Sequence, residues 1–92
     1  MEKLKLYAII SGRVQGVFFR VNTKNKAYEL GLTGWVKNRW DGKVEVACEG
    51  AKEKIDKMLE WLKKGPKYAK VTNVEHYFDV KEEGFQDFEI VF

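Results

Sequence analysis

Residues 33–49 read TGWVKNRWDGKVEVACE, and the middle of that stretch is a turn. Asp41-Gly42 is a strong hairpin signal, because glycine supplies the backbone conformation that a tight link between antiparallel strands needs. Beyond it, Val44, Val46 and Cys48 alternate with Lys43, Glu45 and Glu49. A period of two places the apolar set inward and the charged set outward, so the segment reads as a half-buried strand. TGWVKN, at 33–38, is its partner across the turn.

Helical patterns lie on both sides of this hairpin. Residues 51–64 space Ala51, Ile55, Met58, Leu59 and Leu62 along one apolar face, and Gly65-Pro66 stops them. Residues 21–31 form a weaker helix that ends on Gly31, with Thr23, Ala27 and Leu30 sharing a side. Strands are expected at the outer flanks. Residues 3–11 alternate Leu4, Leu6, Ala8 and Ile10 against Lys3, Lys5 and Tyr7, and extended segments follow at 70–80 and 86–92, where Phe88, Ile90 and Phe92 share a face. The order is β-α-β-β-α-β with a final short strand. That order predicts an α+β, ferredoxin-like sandwich, with an antiparallel sheet of four to five strands and two helices on one face.

Composition limits what the fold can be doing. The chain has 92 residues, enough for one domain spanning 1–92. Hydrophobic residues make up 45% and aromatic ones 14%, which supports a packed core rather than disorder. Charged residues are 34% of the chain but nearly cancel, leaving +3. That excess suits a small anion better than a nucleic acid, whose partners concentrate positive charge on one face. A single cysteine forms no internal disulfide, and the first ten residues lead directly into a strand with no signal-like or membrane-spanning run. The expectation is a cytoplasmic protein that binds neither membrane nor nucleic acid.

The segment richest in chemistry is SGRVQGVFFR at 11–20, between the first strand and the first helix. Backbone N–H groups converging just ahead of a helix N-terminus bind phosphate oxygens well. Gly12 and Gly16 permit the backbone angles such a cradle requires. Arg20, at the helix start, is placed to clamp the same anion. By itself the segment reads first as an ordinary strand-to-helix connection. It is neither a Walker loop nor a dinucleotide fingerprint.

The same residues resemble the first signature of the acylphosphatase family, a small residue, Gly-x-Val-Gln-Gly-Val, then Phe-Arg. Gly34-Trp35-Val36-Lys37-Asn38, followed by Asp41-Gly42, Val44, Glu45 and Gly50, resembles the second. The resemblance spans nearly the whole chain. It implies hydrolysis of acyl phosphates to carboxylate and inorganic phosphate, in a monomer without cofactor or metal. The phosphate would be held by the loop Gln15, Gly16, Val17, Phe18, Phe19 and Arg20. Arg20 and Asn38 would be the catalytic pair, with Asn38 orienting the attacking water. An alternative within the same resemblance is a non-catalytic anion-binding or regulatory module. Arg39-Trp40 departs from the usual pattern, in which small or polar residues are commoner. That departure bears on pocket access, on the choice of acyl group, or on contact with another chain.

Other reactive residues read as structural. Cys48 shares its inward face with Val44 and Val46, where thiols are inert core. His76, in period with Val74 and Phe78, is expected to be partly buried, and one histidine without neighbouring ligands makes no metal site. Phe18, Phe19, Trp35 and Trp61 are expected to pack, while Arg13 and Lys37 add positive potential near the loop. RNA-recognition domains share the element order but need aromatic residues on the third strand, and KVEVACE has none.

Overall fold

The structure, a computed structural model, describes residues 2–92. Seven elements follow one another: β1 (Lys3–Arg13), α1 (Phe19–Leu30), β2 (Thr33–Asn38), β3 (Val44–Ala51), α2 (Lys52–Lys64), β4 (Lys70–Asp79) and β5 (Phe88–Val91). They match the expected order, with boundaries shifted by one to two residues. The sheet runs β4-β1-β3-β2-β5. Its β1–β3, β1–β4 and β2–β3 pairs are antiparallel. The expectation of an antiparallel sheet fails at one edge, where β5 runs parallel to β2 and pairs Gly34 with Phe88 and Val36 with Ile90. The sheet is therefore mixed.

Alternation explains the core. Leu6, Ala8 and Ile10 of β1, Val36 of β2, and Val44, Val46 and Cys48 of β3 are fully buried on one face. Ile55, Met58 and Leu62 of α2 and Phe19 and Ala27 of α1 join the same cluster, so both helices cover that face. Thr23 lies inside it, its hydroxyl donating to the Phe19 carbonyl at 2.7 Å. The end of α1 is closed by Gly31 at φ 69, and the Leu32 N–H reaches the Ala27 carbonyl at 2.8 Å. Neither helix is long and apolar enough to cross a membrane.

Two side chains depart from their expected surroundings. His76 is exposed rather than partly buried, because β4 is an edge strand that the helices do not cover at that point; its ring stands edge-on to Phe78. Glu49 keeps its outward orientation yet is only 5% exposed. The segment at 80–87 folds over it, and its carboxylate accepts from the N–H groups of Glu83, Gly84 (3.1 Å) and Phe85 (3.2 Å). A buried carboxylate is tolerated only with such donors. This anchor fixes the segment that delivers β5 to the sheet edge.

Glu49→Gln keeps the shape and removes the charge that strengthens those bonds. We expect a loss of about 2 kcal/mol in urea unfolding, together with faster amide exchange at Gly84 and Phe85 in the folded protein.

Candidate active site

The connection from β1 to α1 is shaped by which of its side chains go inward. Val14, Val17 and Phe19 are buried, and the Phe19 ring packs against Trp61 with centroids 5.8 Å apart. Their side chains are committed to the core, so only their backbone can meet a ligand. Gly16 adopts φ 73 and Phe18 φ 63. For a bulky residue the second value is a true outlier, and such strain marks functional loops. Phe18 is also 69% exposed, so the expectation that it packs fails.

Helix α1 begins without a side-chain cap and without an acidic residue in its first turn. Its first internal bond runs from the Asn22 N–H to the Phe18 carbonyl at 3.1 Å. The amides ahead of it are the ones a helix leaves unpaired, and they carry the partial positive charge of the helix N-terminus. Among the described residues, none of the loop N–H groups at 16–18 donates to a backbone carbonyl outside the regular elements. Amides left unpaired just ahead of a helix N-terminus are a backbone arrangement able to receive an anion.

Arg20 and Asn38 line one cavity of about 320 Å³, with Gly16 and Phe18 from the loop and Ile90 and Phe92 from the β5 edge. Among the described residues Arg20 forms no ion pair; its guanidinium lies 5.4 Å from the Phe92 ring centroid. Asn38 Oδ1 is buried and has no hydrogen-bond partner. An orphaned buried acceptor costs about 1–3 kcal/mol, so it signals a missing donor such as water or substrate. Two of the loop residues expected at the site play other parts. Val17 is core. Gln15 turns its side chain to the β2–β3 hairpin, where Nε2 donates to the carbonyls of Arg39 at 2.7 Å and Lys43 at 3.0 Å.

The hairpin tip is itself cross-braced. Arg39 pairs with Asp41 at 3.1 Å and Glu45 at 3.5 Å, and Glu45 also accepts from the Tyr7 hydroxyl. Burial pushes the Tyr7 hydroxyl up to about 12, reinforced by its bond to the Glu45 carboxylate. Partial burial raises the Asp41 carboxyl, but the Lys43 N–H and the Arg39 guanidinium outweigh it and hold it below the usual carboxylate range. Lys37 is drawn to Glu45 at 3.7 Å, leaving less of its charge for a ligand.

The wall supplied by Ile90 and Phe92 was not foreseen, although their shared face was visible in the sequence. It depends on the parallel pairing of β5. Nor was the outer sheet face, where Tyr7 stacks near Tyr77 (5.2 Å) and meets Trp35 edge-on (6.4 Å). Glu45 and Glu49 lie on the same face of the sheet as Tyr7, in a period of two along β3, which is unfavourable for a polyanion.

Among the described residues, no group of three His, Cys, Asp or Glu is placed to hold a metal ion. Cys48 is fully buried, and burial pushes its thiol up to about 12. The folded protein should therefore resist iodoacetamide at pH 8 and react only as it unfolds in urea. Gln15→Leu should leave the two hairpin carbonyls without these donors. We expect a loss of about 2 kcal/mol in urea unfolding and faster exchange at the Gly42 and Lys43 amides.

Comparison with known proteins shows the family to which the chain belongs. The acylphosphatase family model matches residues 6–90. An acylphosphatase from Acaryochloris marina is 49% identical over 83 residues, covering 90% of this chain and 85% of its own. One from Pelotomaculum thermopropionicum is 40% identical over 92 residues, covering all of both chains. The crystal structure of acylphosphatase from Bacillus subtilis superimposes with a TM-score of 0.94 at 39% identity, over 97% of this chain and 99% of that one. The chain belongs to the acylphosphatase family of hydrolases.

Proposed function

We propose that this chain hydrolyses acyl phosphates by direct attack of a water held by Asn38 on a phosphoryl group bound by Arg20 and the backbone of residues 15–20. The observation that carries the reading is the unpartnered Asn38 Oδ1, which lines the same cavity as Arg20 and the uncapped start of α1. Phosphoryl transfer depends mainly on positioning and on stabilising charge at the equatorial oxygens. Fixed amides and a guanidinium do this without reorganising as the reaction proceeds.

The water donates one hydrogen to Asn38 Oδ1 and directs a lone pair at phosphorus. As the new P–O bond forms, the bond to the acyl oxygen breaks. The carboxylate departs with the electron pair and needs no proton, because its conjugate acid has a pKa of roughly 4. An amide is no base, so the proton shed by the water passes to the phosphoryl oxygens. This chemistry asks for no histidine, thiolate, metal or cofactor. It also disfavours phosphate monoesters, whose alkoxide leaving groups are far more basic. We place the protein in the cytoplasm, a reading supported by its one unpaired, buried cysteine, and take it as a single-domain monomer on the family resemblance alone.

Purified wild type should hydrolyse benzoyl phosphate in the presence of EDTA and show little activity on para-nitrophenyl phosphate. Arg20→Ala and Asn38→Ala should each lower kcat by about 100- to 1000-fold while circular dichroism shows them folded. A folded but inactive wild type would overturn the catalytic reading and leave an anion-binding module. Activity abolished by EDTA would overturn metal independence.

A further inference from the structure

We infer that the exposed ring of Phe18 is the surface on which the acyl group rests, so that the site favours aromatic and bulky apolar acyl phosphates over acetyl phosphate. The inference rests on the hydrolytic reading above and adds the substrate's apolar half to it.

Two concavities meet at the site. Asn38 and Phe92 line both; Phe18, Arg20 and Val21 line only the first, and Trp40 only the second, of about 370 Å³. In phosphoryl transfer the attacking and leaving oxygens lie roughly in line through phosphorus. With the water on Asn38 and the phosphoryl group at Arg20, the leaving carboxylate points away from Asn38. A leaving group that stays in the concavity of Arg20 meets Phe18 and Val21, which line it, whereas Trp40 lines only the other.

Phe18 suits this task better than any structural one. Its ring is 69% exposed, so it contributes little to the core, and Val21 beside it is 50% exposed. Its backbone sits at φ 63, where a bulky side chain is disfavoured and glycine or asparagine would be relaxed. A residue that is both strained and solvent-facing gains nothing from folding. An aryl or branched acyl group covering the ring would recover apolar contact at the moment of binding. Acetyl phosphate carries too little surface to do so.

The test is kcat/KM for benzoyl phosphate and for acetyl phosphate in wild type, Phe18→Gly, Phe18→Asn and Trp40→Ala, with urea unfolding of each. Wild type should prefer benzoyl phosphate. Both Phe18 variants should lower the benzoyl-to-acetyl ratio by about tenfold, equivalent to about 1.4 kcal/mol, while unfolding at no lower urea than wild type. Trp40→Ala should leave the ratio alone. Equal loss on both substrates in the Phe18 variants would make Phe18 a loop-positioning residue and overturn the inference. So would an unchanged ratio, or a fall of similar size in Trp40→Ala. Wild type inactive on both substrates would overturn the hydrolytic reading itself, and this inference with it.

Discussion

The amides at the start of α1 stay free of internal partners while the side chains around them are pulled inward. Val14, Val17 and Phe19 are buried beneath the loop, and Phe19 is held against Trp61. Each such burial is worth about 1.5–3 kcal/mol, which holds the loop down in spite of Gly16 and Phe18 in left-handed conformations. Hydrophobic packing thus does the work of presenting polar groups. The hairpin that bears Asn38 is a separate element, and Gln15 ties the two together through its bonds to Arg39 and Lys43. Without a tie of that kind, the loop and Asn38 would move on different parts of the scaffold. A site made of fixed dipoles tolerates little of that, since its advantage lies in not reorganising.

The third wall comes from farther away. Ile90 and Phe92 reach the cavity because β5 pairs in parallel with β2, on the side opposite β3. The connection from β4 must therefore pass from one edge of the sheet to the other before β5 can begin. Glu49, at the end of β3, receives that connection by accepting three of its N–H groups. A single charged residue on the sheet face thereby helps to close a cavity at the opposite end of β2.

Much of the scaffold was legible in the sequence, because alternation at β1 and β3 and the apolar stripe of α2 are repeated signals. Asp41-Gly42 located the hairpin, and the loop and Asn38 came from a resemblance whose two signatures are short but ordered. The rest depended on tertiary placement. Four residues of β5 carry too little pattern to reveal their partner or direction. The charge of Glu49 reads as exposed in any period of two, and only the overlying segment buries it. His76 keeps step with apolar neighbours, yet an edge strand leaves that step uncovered. Phe18 beside Phe19 looks like core, and only the backbone turn separates an exposed ring from a buried one. The Gln15 side chain belonged to the expected loop, but its donors are committed to carbonyls 24 and 28 residues away.

The two arginines nearest the cavity are held very differently. Arg39 is engaged by Asp41 and Glu45, so its charge is largely neutralised where it stands. Arg20 has no carboxylate partner among the described residues and faces only the Phe92 ring. A guanidinium left in this state, beside unpaired amides, gives a positive potential that the rest of the surface mostly cancels. The same economy applies to Asn38, whose buried oxygen costs stability in the empty site. In the proposed mechanism both groups would find their partners in a phosphoryl group and a water within the cavity. Strain at Phe18 follows the same rule, since an exposed ring in a left-handed turn has nothing to gain until a ligand covers it.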